Sequence, residues 1–265
     1  MLEITSKENA NIKFYNKLML SKRARNEYNM FTFEGAKMIC DAACENLELN
    51  CVYVTEEAAN KYSEALNLVK NKGLTDRDIF LITDEISQRM TATTTPQGFY
   101  AICKKLDKTN YADTIKSDGR YVVLNNLQDP GNIGAIIRTA DAMGIDGIFT
   151  TDDCCDIYNQ KLIRATMGSM FRVNIWDELS IYKIMEIFAE KGVKTFAAVI
   201  DNDAKDVLNV DFSNGGAVLI GNEGSGLPRQ ISNVCDQKIT IKMKGNINSL
   251  NAAMATSIIM WEMLK

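Results

Sequence analysis

Apolar residues recur along the chain in two alternating patterns: short runs typical of buried strands, and longer stretches with the spacing of a helix. In the first hundred residues the strand-like runs are Cys51–Thr55, Ile79–Thr83 and Gly98–Cys103. Helical spacing precedes or separates these runs, at residues 12–19, 35–46 and 56–70. This alternation predicts a small α/β domain.

The second half of the chain alternates in the same way. The strand-like runs are residues 121–125, 147–151, 172–176, 194–200, 217–221 and 238–243. The helical stretches are residues 132–143, 158–169, 181–191 and 249–264. Strands that alternate with helices predict a mostly parallel sheet covered by helices on both faces. Because residues 107–119 are polar and aperiodic, we predict two domains, 1–106 and 120–265, with 107–119 as the linker.

Composition narrows the possible chemistry. The chain has 265 residues, of which 46% are apolar, and it contains seven cysteines and no histidine. The absence of histidine excludes Ser-His-Asp catalysis and His-containing metal sites. No Cys-x-x-Cys pair, signal-peptide segment or apolar run of about 18 residues occurs, so we expect a cytoplasmic protein with reduced thiols, no bound metal and no membrane span.

Charge is unevenly distributed. The net charge is −4, but residues 1–37 carry seven Lys or Arg against four Glu, a surplus of three positive charges. Lys22, Arg23 and Arg25 form the densest cluster, which is a candidate phosphate-binding surface. A solvated helix face is the alternative interpretation.

The chain has only three prolines, and each lies in a loop that contains glycine. The loop around Pro130 follows a strand-like run and opens a helix at Asn132, whose apolar stripe leaves Arg138 free to face a ligand. An ion pair between Arg138 and Asp141 would be the purely structural alternative. A dinucleotide site is a weak alternative, because the loop lacks Gly-x-Gly-x-x-Gly.

Two further loops carry candidate chemistry. Residues 221–226, Gly-Asn-Glu-Gly-Ser-Gly, follow a strand-like run and allow close backbone approach to a ligand, although a structural glycine loop would look similar. Residues 241–251 are rich in Asn and Gly and precede the last helix, for which Ser249 is the predicted N-cap. The predicted apolar stripe of that helix is Leu250, Met254, Ser257, Ile258 and Trp261.

Together these three segments resemble the signature motifs of the SpoU/TrmH family of RNA ribose 2′-O-methyltransferases. They occur in the family's order at residues 129–138, 221–226 and 241–251, and residues 164–172 resemble the segment between the motifs. The N-terminal part resembles the L30e-like substrate domain of many members, through residues 12–13, 33–35 and 95–98 and Arg23. Lys242 replaces the proline that is usual in the third motif, and Asn248 stands where Glu or Ser is common.

The resemblance implies a fold and a site. The fold would be a parallel α/β sheet with a C-terminal trefoil knot, and the protein would be a homodimer. The cofactor would be S-adenosylmethionine, held by residues Ala198, Gly221, Ile241, Met243 and Leu250. The catalytic set would be Asn132, Arg138, Glu223, Ser249 and Asn251.

The reaction implied is methylation of a ribose 2′-hydroxyl, with rRNA, in particular 23S rRNA, preferred over tRNA. Because the pKa of arginine is above about 12, Arg138 is a poor base, and orienting the ribose or an RNA phosphate is the alternative role. Lys22, Arg23 and Arg25 would attract RNA. Other hypotheses are a tRNA methyltransferase, a non-catalytic RNA-binding protein of the same fold, a base methyltransferase and a nicotinamide dehydrogenase.

Overall fold

The computed structural model of the chain describes residues 1–106, 114–201 and 203–265. Their contacts divide the chain into two compact units, the first from Met1–Asp107 with Tyr158–Arg172 and the second from Lys108–Ile157 with Val173–Lys265. Residues 107–113 of the predicted linker lie outside the described residues. None of the helices within the described ranges is long and apolar enough to cross a membrane.

The first unit begins with helices and strands that alternate over its first hundred residues. In chain order they are β1 Leu2–Ile4, α1 Ala10–Leu20, α2 Lys22–Tyr28, β2 Met30–Glu34, α3 Ala36–Cys44, β3 Leu49–Thr55, α4 Glu56–Lys61, α5 Ser63–Asn71, β4 Ile79–Ile82, α6 Asp84–Met90 and β5 Phe99–Lys104. The predicted helix over residues 56–70 is two helices, because the backbone leaves the helical conformation at Tyr62, where ψ is 37°.

The strands of the first unit form a mixed sheet in the order β1-β4-β3-β5-β2. Strand β4 pairs in parallel with β1 and β3, whereas β5 pairs antiparallel with β3 and β2. Helix α1 buries Ile12, Tyr15 and Leu18 in a cluster with Tyr53 and Tyr100. The amphipathic spacing of α1 therefore places it on the sheet, as the periodicity predicted.

The remaining elements follow after residue 113. They are β6 Arg120–Leu124, α7 Pro130–Met143, β7 Gly147–Thr151, α8 Gln160–Thr166, β8 Ile175–Leu179, α9 Ile181–Lys191, β9 Thr195–Ala198, β10 Lys205–Asp206, β11 Gly216–Ile220, α10 Arg229–Val234, β12 Gln237–Thr240 and α11 Ala252–Glu262. Short 3₁₀ turns occupy Ser169–Phe171 and Val207–Asn209. Strand β8 begins three residues later than predicted.

Helix α8 and the turn after it belong to the first unit, although the sequence boundaries placed them within 120–265. The rings of Tyr158 and Phe31 lie 4.7 Å apart between centroids, and those of Phe171 and Phe33 lie 5.4 Å apart. Gln160 Nε2 donates a hydrogen bond to the carbonyl oxygen of Thr32 at 2.7 Å. These contacts attach the segment to strand β2.

The described strands of the second unit form a sheet in the order β10-β12-β9-β11-β6-β7-β8, and every neighbouring pair is parallel. On one face, Tyr121 and Val123 pack with Ile184 and Phe188 of α9. The alternate position Val122 is equally buried, as expected for a parallel sheet covered on both faces. The predicted parallel α/β architecture is confirmed.

Candidate active site

The predicted site residues follow adjacent strands at one edge of the parallel sheet. Strands β12, β9, β11 and β6 are neighbours in that order, so their carboxyl ends lie side by side. The predicted cofactor residues lie in the loops after β11 and β12 and, for Ala198, at the last position of β9, and the loop after β6 leads to the first motif. This edge of an open parallel sheet is where ligands bind in α/β proteins.

The loop after β11 turns so tightly that its first residue has to be glycine. A Cβ on Gly221 would lie 2.1 Å from the backbone nitrogen of Leu227 and 2.2 Å from the carbonyl carbon of Gly226. Asn222 organises the turn, because its Oδ1 accepts hydrogen bonds from the amides of Gly224 at 2.9 Å and Ser225 at 3.1 Å. The loop is therefore a rigid platform for Glu223.

Glu223 joins the second motif to the first. Its carboxylate accepts hydrogen bonds from Asn132 Nδ2 at 3.0 Å, from the amide of Asp129 at 3.2 Å and from the amide of Gln128 at 3.3 Å. Partial burial acts to raise the pKa of the Glu223 carboxyl, but the hydrogen bonds from Asn132 and the backbone outweigh it and lower the pKa. Glu223 is thus an anionic acceptor that holds the loop after β6.

Asn132 joins the first motif to the third. Its Oδ1 accepts a hydrogen bond from Asn251 Nδ2 at 2.9 Å, while its Nδ2 donates to Glu223. Asn251 Oδ1 in turn accepts from the amides of Ala253 and Met254 and caps α11. Each amide group has a donor role on one side and an acceptor role on the other, which fixes its orientation.

Ser249 does not cap the last helix, so that prediction is wrong. The N-cap is Asn251, and Ser249 is exposed in the loop two residues earlier. Both residue types cap helices well, so the sequence alone did not decide between them.

Arg138 lies on the exposed face of α7, as predicted from its position outside the apolar stripe. The stripe residues Ile133, Ile136, Ile137 and Ala140 are buried. The guanidinium therefore projects from a helix whose first turn holds Asn132. Its role in the chemistry stays a prediction.

The five predicted cofactor residues, Ala198, Gly221, Ile241, Met243 and Leu250, are all half-buried. Ala198 is the last residue of β9, and the other four lie in the loops after β11 and β12. The set therefore combines accessible apolar surface with loop backbone. In the part of the chain that the structure describes, the amides of residues 244–250 donate to no other backbone group. Apolar surface beside accessible main-chain groups is suited to the adenosine of S-adenosylmethionine, which has flat apolar faces and a polar edge.

The three residues of the predicted RNA-binding cluster differ in how exposed their side chains are. Lys22 and Arg23 are exposed in the first turn of α2, whereas Arg25 is only 5% exposed. Arg25 Nη1 donates to the carbonyl oxygens of Leu18 at 2.6 Å and Met19 at 3.1 Å, in the last turn of α1. This guanidinium is committed to the fold, so we remove Arg25 from the proposed RNA surface.

Sequence reasoning missed the residues that support the first-motif loop. The hydrogen bonds within this loop or to it involve Asn126, Gln128, Thr151 and Cys154. The only signal that relates them is the pairing of β6 with β7, and strand order is not visible in a single sequence. Within the described residues, no group of His, Cys, Asp and Glu side chains is arranged to hold a metal ion.

Comparison with known proteins gives matches over both halves of the chain. The SpoU rRNA Methylase family matches residues 119–261, and the MRM3-like substrate binding domain matches residues 9–101. The chain is 27% identical over 263 residues to 23S rRNA (guanosine(2553)-2'-O)-methyltransferase RlmP of Bacillus subtilis (strain 168), covering 99% of each protein.

Solved structures agree with these matches. The AdoMet-bound rRNA methyltransferase from Sinorhizobium meliloti is 27% identical, with a TM-score of 0.87 over 98% of this chain and 96% of that one. The SpoU methyltransferase AviRb from Streptomyces viridochromogenes shares the fold, with a TM-score of 0.86 over 97% of each chain at 24% identity.

Proposed function

Because the chain belongs to the SpoU rRNA Methylase family, we propose that it transfers a methyl group from S-adenosylmethionine to a ribose 2′-hydroxyl of ribosomal RNA. The observation that carries this proposal is the hydrogen-bonded chain Glu223–Asn132–Asn251, which links the three motifs at the carboxyl edge of the sheet. A protein that used the fold only to bind RNA would not need these three polar groups held in one fixed arrangement.

S-adenosylmethionine supplies an electrophilic methyl group on a sulfonium. The residues that would hold it are Gly221, Ile241, Met243 and Leu250, with Ala198 beside them. Gly221 allows the backbone to approach closely, and the three larger side chains offer half-buried apolar surface for the adenosine. The relative from Sinorhizobium meliloti that has AdoMet bound supports this assignment.

The ribose would be oriented by the polar residues of the site. A guanidinium has five N–H donors and no acceptor, so Arg138 would attract the RNA phosphate next to the target ribose rather than accept the proton of the hydroxyl. Asn132 and Asn251, held through Glu223, keep the first helix turn and the cap of α11 in place. Ser249 lies exposed in the third-motif loop, where its hydroxyl can contact the substrate. Holding the reacting atoms in line would lower the activation free energy on the order of several kcal/mol, as is measured for well-oriented reactants.

The first unit would bind the RNA. Its match to an MRM3-like substrate binding domain supports this role, and the similarity to a 23S rRNA methyltransferase favours rRNA over tRNA. Lys22 and Arg23 are the exposed cations of the predicted cluster. On α1, Lys13 lies 2.7 Å from Glu8 and Lys17 lies 3.9 Å from Glu27, so we expect a modest electrostatic contribution from this helix.

The family resemblance also implies a homodimer and a knotted C-terminal chain. Helix α11 supports the dimer, because it exposes large apolar side chains next to its cap at Asn251. The seven cysteines are free thiols in the structure, which suits a reducing cytoplasm.

The test is methyl transfer from labelled S-adenosylmethionine to total RNA, to ribosomal subunits and to tRNA. We expect label in rRNA that protects one position from alkaline cleavage, and about 100-fold less label with Arg138→Ala, in line with losses seen for groups that position reactants. A matched control is Arg229→Ala, an exposed arginine in the same unit. Labelling of tRNA alone would show that the substrate is tRNA and not rRNA. Cofactor binding without transfer to any RNA would contradict the proposal.

A further inference from the structure

Two neighbouring strands of the parallel sheet place their following loops side by side. Strands β6 and β7 pair in register, with Leu124 opposite Thr150. The loop after β6 covers residues 125–129 and leads to the first motif. The loop after β7 covers residues 152–155 and holds none of the predicted site residues.

Side chains at the end of β7 hold the backbone of the first loop. Thr151 Oγ1 accepts a hydrogen bond from the amide of Asn126 at 3.0 Å. Cys154 Sγ accepts from the amide of Leu127 at 3.3 Å and donates to the carbonyl oxygen of Leu124 at 3.1 Å. One thiol thus bridges two backbone groups three residues apart.

Further contacts complete this support, which we call the β7 brace and define by Thr151, Asp153 and Cys154. Gln128 Nε2 donates to the carbonyl oxygen of Asp153 at 2.6 Å. The amide of Cys155 donates to the carbonyl oxygen of Leu127 at 2.9 Å. Residues 126–128 are therefore each tied to the neighbouring loop.

The loop needs such support because Asn126 has a left-handed backbone, with φ at 56°. A residue with a side chain keeps that conformation only where its surroundings fix it, although asparagine tolerates it better than most. The carbonyl oxygen of Asn126 accepts from Asn222 Nδ2 at 2.8 Å, and its Oδ1 accepts from Gln128 Nε2 at 2.6 Å. The conformation of Asn126 sets the direction in which the loop continues to the amides of Gln128 and Asp129.

Those two amides, of Gln128 and Asp129, are the ones that donate to Glu223. We infer that Thr151 and Cys154 are positioning residues of the active site, because they orient these amides toward Glu223 and so hold the Glu223–Asn132–Asn251 chain in place. The effect on catalysis rests on the proposed function, whereas the effect on Glu223 does not.

The chemistry of the thiol fits this role. Burial raises the pKa of Cys154, so the sulfur keeps its proton at neutral pH. A protonated thiol both donates and accepts, and both capacities are used here. A serine hydroxyl has the same two capacities, whereas alanine has neither.

The experiment compares Cys154→Ala with Cys154→Ser, with Cys235→Ala as the matched control. Cys235 is a half-buried thiol of the same unit that also donates to a carbonyl oxygen, that of Ile231 at 3.3 Å, but it lies away from the motif loops. The first measurement is a carbon-13 NMR titration of the Glu223 carboxyl in the free protein. We expect its pKa to rise toward the ordinary value in Cys154→Ala, and to stay lowered in Cys154→Ser and Cys235→Ala.

The second measurement is methyl transfer to rRNA. We expect kcat to fall about tenfold in Cys154→Ala with little change in the KM for S-adenosylmethionine, and to recover in Cys154→Ser, the pattern of a lost transition-state arrangement. If Cys154→Ala does not fold, Thr151→Val is the second variant: it removes the acceptor of the Asn126 amide and the hydroxyl's hydrogen bonds to the Leu124 carbonyl oxygen, Asp153 and Cys154. Thr151→Ser, which keeps the hydroxyl, is its control.

An unchanged Glu223 titration in folded Cys154→Ala or Thr151→Val would overturn the inference, whatever the activity. If the pKa of Glu223 shifts in the variants but the wild-type protein itself transfers no methyl group, the inference about the β7 brace stands. That result would contradict the proposed function instead.

Discussion

At the scale of single residues, Arg25 shows that a cation in a basic cluster can belong to the core of the fold. The last carbonyl groups of a helix lack partners within the helix, and a cation there also interacts favourably with the helix dipole. Arg25 meets both needs at the end of α1, where it bonds to the carbonyl oxygens of Leu18 and Met19. Its neighbour Arg23 is exposed.

We therefore predict that substitution of Arg25 affects mainly stability, whereas substitution of Arg23 affects mainly RNA binding. Arg25→Ala should lower the free energy of unfolding by about 2 kcal/mol, because it leaves buried carbonyl groups without their donor. Arg23→Ala should change it by less than about 0.5 kcal/mol, as is usual for exposed positions, while weakening RNA binding. Urea denaturation followed by circular dichroism measures the first effect, and equal stability of the two variants would contradict the role assigned to Arg25.

At the scale of elements, the loop after β11 depends on the close approach of its own two ends. We predict that Gly221→Ala abolishes binding of S-adenosylmethionine, because the new Cβ would lie 2.1 Å from the Leu227 nitrogen and force the loop to open. The matched control is Gly224→Ala, whose Cβ would meet only Asn222 Oδ1, at 3.5 Å. Isothermal titration calorimetry distinguishes them, and similar affinities for the cofactor would show that the loop tolerates the extra atom.

Elements also show how far the sequence could predict this molecule. Six strands of the parallel sheet coincide with short apolar runs bounded by glycine, proline and polar residues, so their presence and order along the chain were readable. Strand β10, Lys205–Asp206, was not predicted, because it consists of two charged residues. The motif loops were readable too, because they end those runs. The pairing of β6 with β7 is a long-range contact, so the support that Thr151 and Cys154 give to the first-motif loop left no local pattern in the sequence.

The last helix, α11, buries a different face from the one that the apolar pattern predicted. Three of the five residues of the predicted stripe are exposed in the single chain: Met254 at 65%, Ile258 at 38% and Trp261 at 58%. The other two, Leu250 and Ser257, are half-buried. The buried residues of α11 are Ala253, Thr256, Ile259 and Met260. Periodicity identifies an apolar face, but it does not tell whether the same chain or another molecule covers it.

At the scale of the whole molecule, this exposed stripe bears on the oligomeric state. Its members are spaced i, i+4 and i+7, so they lie on one side of α11, and an apolar strip of this kind on a soluble protein typically marks an interface. The stripe begins one turn after Asn251, so a second copy packed there would lie beside the candidate active site. The proposed homodimer would bury this surface.

We predict that the wild-type protein has twice the mass of the chain in sedimentation equilibrium, and that Trp261→Glu shifts it to the monomer. A buried carboxylate without a partner in an apolar interface costs several kcal/mol, which is enough to dissociate a typical dimer at micromolar concentration.

The matched control is Tyr182→Glu, a substitution of a large side chain of α9 that is 68% exposed and lies outside the stripe. The control should remain dimeric, and a dimer that persists in both Trp261→Glu and Met254→Glu would place the interface elsewhere. Because the stripe adjoins the cap at Asn251, the monomer should also lose methyl transfer while its unfolding midpoint stays close to that of the control.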